Sequence, residues 1–109
     1  MTQPPKDLKS FSALVEIVEA LRGPEGCPWD KEQTHASLVP FAIEEAYEFA
    51  EAVEVSHAAQ GNSQETEDRK QADAEMASEL GDMLLQVVLH AEIAKQRNAF
   101  SIEEVLEAI

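Results

Sequence analysis

The sequence predicts an all-α fold, a small bundle of helices. Three observations carry that prediction. Period-two alternation is absent, Ala, Glu, Leu and Gln abound, and apolar residues recur at spacings of three and four. The 109 residues are one domain's worth. A 44% apolar content makes a core possible despite a formal net charge of −14. That charge repels phosphate backbones and anionic bilayers, which argues against a nucleic-acid polymer or a membrane surface as partner. One cysteine, Cys27, excludes an internal disulfide framework and fits a reducing compartment. No apolar run approaches the roughly 20 residues needed to span a bilayer, and the N-terminus lacks the apolar core of a secretory signal. A cytoplasmic domain is expected.

A first helix is expected over residues 8 to 22, where Phe11, Leu14, Val15, Val18 and Leu21 share one face. Gly23 and Pro24 stop it. Residues 23 to 33, with two prolines and two glycines, read as a loop. Thr34 caps a short turn that ends at Val39, because the residue before a proline avoids helical geometry. Pro40 then suits the first turn of a second helix running to about residue 58. Residues 59 to 73 are a polar connector, helical only towards its end. A third helix runs from about Ala74 to Arg97, and Asn98-Ala-Phe-Ser is a turn. Ser101 and Glu104 stand in capping-box spacing at the start of a fourth helix. The chain reaches Ile109 two turns into that helix, so it reads as a piece cut inside an element.

The third helix is apolar on two sides. Met76, Ala77, Leu80, Met83, Leu84, Val87, Val88 and Ala91 cover one face, and Leu85 and Leu89 extend apolar character to the other. One small subunit cannot cover both, so the bundle is expected to be completed by dimerisation, with Leu85 and Leu89 in the interface. The remaining stripe holds Glu75, Glu79, Asp82, Gln86 and His90, within about 80° of arc. Carboxylates in such a crevice need a cation, or their pKa values rise. On the second helix Ile43, Ala46, Tyr47, Ala50 and Val53 form the core face, and Glu44, Glu48 and Glu51 gather on a flank. Two helices therefore each carry an acidic pair at i, i+3: Glu45 with Glu48, and Glu79 with Asp82. Face to face, these four carboxylates suit Mg²⁺ or Mn²⁺, best when a polyphosphate completes the shell.

These residues resemble the MazG family of nucleoside triphosphate pyrophosphohydrolases. The family's Glu-Glu-x-x-Glu is similar to Glu44-Glu45-Ala46-Tyr47-Glu48, and its Glu-x-x-Asp to Glu79-Leu80-Gly81-Asp82. The run Cys27-Pro28-Trp29-Asp30-Lys31-Glu32-Gln33-Thr34 is similar to the loop before the family's acidic helix. The resemblance covers about residues 10 to 109. The segment between the two acidic motifs is longer than in many relatives, and its polarity marks an insertion. Family members usually continue past this endpoint with a basic stretch that helps hold the triphosphate.

The resemblance implies the all-α NTP pyrophosphatase fold, a homodimer with sites near the interface, and hydrolysis of NTP or dNTP to the monophosphate and pyrophosphate, with house-cleaning of nucleotide pools as a role. It implies Mg²⁺ as cofactor, held by Glu45, Glu48, Glu79 and Asp82, and water oriented or deprotonated by Glu44 or Glu45. Trp29 either stacks on the nucleobase or anchors its loop on the core. Lys31 either meets a phosphate or is a surface lysine. Phe41 either lines the base pocket or packs in the core. His90 reads as a satisfied core or interface histidine, and Cys27 as structural. Fold does not fix function, so a catalytically silent dimerisation or regulatory domain that binds nucleotide is the alternative. A di-iron bundle needs Glu-x-x-His twice, and only Glu54-Val-Ser-His57 has that spacing.

Overall fold

In the computed structural model the described residues are 7–60 and 67–109. They form five helices and no strand: α1 (Phe11–Leu21), α2 (Pro28–Glu32), α3 (His35–Gln60), α4 (Glu67–Gln96) and α5 (Ile102–Glu107). The all-α expectation is met. The chain divides into two compact units, Met1–Leu38 with Leu85–Ile109, and Val39–Leu84.

In the first unit, Ser10 caps α1 by accepting the Ala13 N–H at 3.1 Å. The helix therefore starts at Phe11, later than the apolar spacing suggests. The expected loop contains a helix, α2, with Pro28 in its first turn. Arg22 organises this segment: its guanidinium donates to the carbonyls of Asp30 and Gln33 and to Gln96 Oε1. Gly26 is required by close approach, because a Cβ there would run into the carbonyl oxygens of Leu21 and Ala20. Val18, Leu38, Val88, Leu89 and Ile93 form the core, with Leu14, Val15, Leu85 and Ile102 packed against it. Each fully buried aliphatic side chain contributes roughly 1.5–3 kcal/mol.

Helix α3 corrects the expected break at Val39. Thr34 and Ser37 cap each other: Ser37 N–H donates to Thr34 Oγ1 at 3.1 Å and Thr34 N–H to Ser37 Oγ at 2.9 Å. This reciprocal cap fixes the helix start upstream of Pro40, so the proline lies inside α3 and its lost N–H is tolerated. Helix α4 begins at Glu67, earlier than Ala74, so the second half of the expected connector is helical. Residues 61–66 of that connector lie outside the described residues. In the second unit Ser56, buried as Ala52 and Ala72 are, donates to Asp73 Oδ1 at 2.7 Å.

The end of α4 turns through Asn98, whose φ is 60°. Ala99 N–H bonds Ala94 O and Asn98 N–H bonds Lys95 O, a Schellman closure. The expected capping box at Ser101 is absent; Ser101 makes no side-chain cap hydrogen bond. Glu103 is held below the usual carboxylate range by its own backbone N–H and then by the Ser101 hydroxyl.

The structure overturns the expected dimer face on α4. Leu89 is 4% exposed in the first unit's core and Leu85 packs on it, whereas Leu80, Leu84 and Val87 are 42–48% exposed. The apolar spacing shows two apolar faces but not which one the subunit covers itself.

Candidate metal centre

The second unit gathers the predicted carboxylates. Glu45 and Glu48 lie one turn apart on α3, and Glu79 lies on α4. One carboxylate oxygen from each falls within 4.8 Å of the others. Such a separation permits shared ligation of a divalent cation. Oε2 of Glu45 and Oε2 of Glu79 are buried without a hydrogen-bond partner. A buried, unpaired carboxylate oxygen is costly, and a hard cation would satisfy it.

Electrostatics agree with the geometry. Burial, then the charges of Glu48, Asp82, Glu79 and Glu44, holds the Glu45 carboxyl above its ordinary value of 4.5. Burial, then Glu48 and Asp82, does the same for Glu79. Asp82 is exposed and stands outside the tight trio, but its charge acts on both half-buried glutamates. Glu44 is likewise exposed and outside the trio. The donor set, all carboxylate oxygen, fits Mg²⁺ or Mn²⁺ and not a thiophilic metal.

The predicted substrate residues divide between the units. Trp29 is 51% exposed on α2. Lys31 donates to Pro24 O at 3.3 Å, closing its own loop. Phe41, in the second unit, is 42% exposed rather than core. His90 is partnered by His35, as a satisfied histidine should be. His35 escapes sequence reasoning: it belongs to no short motif, and its partners His90 and Arg97 are distant along the chain. A cavity of about 350 Å³ in the first unit, lined by Val15, Glu19, Glu92, Lys95 and neighbours, includes none of the predicted site residues.

Residues 33–109 match the MazG nucleotide pyrophosphohydrolase domain. The chain belongs to the MazG family. It is 50% identical over 99 residues to the nucleoside triphosphate pyrophosphohydrolase/pyrophosphatase MazG of Thermotoga maritima, covering 91% of this chain and 33% of that protein. It is 44% identical over 99 residues to Bacillus subtilis YabN, an uncharacterised protein, covering 91% of this chain and 17% of YabN. A nucleoside triphosphate pyrophosphohydrolase of Escherichia coli K12 is 36% identical over 103 residues, covering 94% of this chain and 34% of that protein. This MazG domain therefore spans about a third or less of these curated relatives. No solved structure gives a significant match. Among the described residues no helix is long and apolar enough to cross a membrane.

Proposed function

We propose that this MazG domain is a Mg²⁺-dependent nucleoside triphosphate pyrophosphohydrolase acting on NTPs or dNTPs. The observation that carries the reading is the convergence of Glu45, Glu48 and Glu79 with two buried, unpaired oxygens. Two similar proteins named nucleoside triphosphate pyrophosphohydrolases support it.

Glu45, Glu48 and Glu79, with Asp82 at the edge, hold Mg²⁺ (Mn²⁺ is chemically equivalent in such an all-oxygen site). The ion, when bound, neutralises phosphate oxygens and lowers the pKa of water. Glu44 or Glu45 orients the attacking water and takes its proton. Water attacks the α-phosphorus, and the bond from that phosphorus to the bridging oxygen breaks, releasing NMP and pyrophosphate. Phe41, exposed in the same unit as these carboxylates, offers an aromatic ring for a base. Such a reaction suits the cytoplasm, where nucleotide pools are cleansed.

Dimerisation is part of the proposal. Leu80, Leu84 and Val87 form an exposed apolar row on α4 at i, i+4, i+7, and Tyr47 and Ile43 are exposed on α3. A second copy of the chain covers them.

The test is pyrophosphate release from a panel of NTPs and dNTPs with and without Mg²⁺, run on this chain and on the chain extended beyond Ile109. Mg²⁺-dependent release is expected. Silence of both proteins with every substrate overturns the reading and leaves the nucleotide-binding, non-catalytic alternative.

A further inference from the structure

In the first unit, His35 of α3 and His90 of α4 lie with their Nδ1 atoms 2.8 Å apart. The rings are parallel to within 8°, with centroids 5.0 Å apart. On the far side of His35, Arg97 Nε donates to Nε2 at 3.1 Å. The Arg97 guanidinium also sits 6.0 Å from the centre of the Phe100 ring, which steadies it.

These contacts fix every proton in the cluster. Arginine can only donate, so His35 Nε2 presents a lone pair. A neutral imidazole with its lone pair on Nε2 carries its proton on Nδ1. That proton points at His90 Nδ1, which must accept, so the proton of His90 is on Nε2. The result is one directional chain from Arg97 through His35 to His90, and it exists only while both imidazoles are neutral.

We propose that Arg97, His35 and His90 form a proton-operated latch that fastens the first turn of α3 to the last turns of α4 in the first unit. A proton on His90 Nδ1 sets donor against donor across the 2.8 Å contact. That event opens the latch, which otherwise holds Leu38, three residues after His35, in the core.

The groups acting on His90 reinforce this. Burial comes first and the His35 ring second, both holding its pKa below the ordinary 6.5, and no carboxylate offsets them. The only charge in the chain of contacts is Arg97, a cation, reaching His35 from the segment after α4. A histidine with a depressed folded pKa contributes stability that is present above its unfolded pKa. That stability is lost as pH falls through the folded value. Mild acid is therefore the signal.

Nitrogen NMR of the imidazoles in the parent protein at pH 7.5 tests the tautomers directly, with exposed His57 as the internal reference. The expected result is a proton on Nδ1 of His35 and on Nε2 of His90. The reverse assignment at His35 overturns the latch, whatever any variant does. The second measurement compares parent and His90→Asn in thermal melts from pH 7.5 to 5.0. The amide oxygen stands where Nδ1 stood and still accepts, but it does not titrate. Acid also relieves the −14 charge in both proteins, so the difference between them is the readout. The parent is expected to lose on the order of 5 °C relative to the variant across that range. Parallel curves overturn the proposal.

Discussion

Glu45 and Glu79, on different helices of the same unit, each bury one carboxylate oxygen that no hydrogen bond satisfies, and the charge of Glu48 raises the proton affinity of both. Two such groups side by side are unfavourable in the metal-free protein. The arrangement makes sense when a cation is present for part of the cycle.

Catalysis should depend on a residue at the edge of this centre. Asp82→Asn removes a charge that acts on both Glu45 and Glu79. Mg²⁺-dependent pyrophosphate release should fall on the order of 100-fold or more, with the helical circular dichroism unchanged. Near-parental turnover with Mg²⁺ would remove Asp82 from the centre.

The same carboxylates set a pH dependence. Glu45 and Glu79 have folded pKa values above 4.5, so the folded state binds more protons than the unfolded one between those values. Their contribution is fully present below the unfolded pKa and is lost as pH rises through the folded pKa. Metal-free protein in a chelator should therefore lose stability from these groups as pH is raised above 4.5, and Mg²⁺ should restore it. Glu45→Gln should raise the melting temperature of the metal-free protein at pH 7.5 and abolish the gain from Mg²⁺. A melting temperature indifferent to Mg²⁺ at pH 7.5 would contradict the site.

Assembly depends on the exposed row of α4. Leu80→Glu with Leu84→Glu should convert a dimer into a folded monomer, read by light scattering, because both leucines are 42–48% exposed in the subunit. Leu89→Ala should act differently. It opens a cavity in the first unit's core and should cost about 2–5 kcal/mol in denaturant unfolding. A parent protein that scatters as a monomer at micromolar concentration would refute the dimer.

One substitution made at two glycines should have opposite signs. Gly26→Ala pushes a Cβ into the carbonyls of Leu21 and Ala20 and should destabilise by about 1–3 kcal/mol. At Gly81, inside α4, an added Cβ would meet nothing within 4 Å, so Gly81→Ala in the monomeric double variant should stabilise by about 0.5–1 kcal/mol. Denaturant titration of both checks the contrast.

Periodic and local features of this domain are legible in its sequence alone. The i, i+3 spacing puts Glu45 with Glu48 and Glu79 with Asp82 on single helix faces, and the apolar spacing makes the chain all-α. Pro40 misleads because a proline's local penalty does not by itself end a helix: the Thr34–Ser37 cap starts α3 upstream of it, and the helix runs through. The Leu85–Leu89 side of α4 misleads for a related reason. Hydrophobicity shows that a face must be covered, but only packing decides whether Val18 and Leu38 or another chain covers it. Folding in three dimensions joins Glu79 to Glu45 and Glu48 across helices, and joins His35 to His90. These contacts link residues far apart in the chain, and no local spacing encodes a distance that depends on how two helices pack.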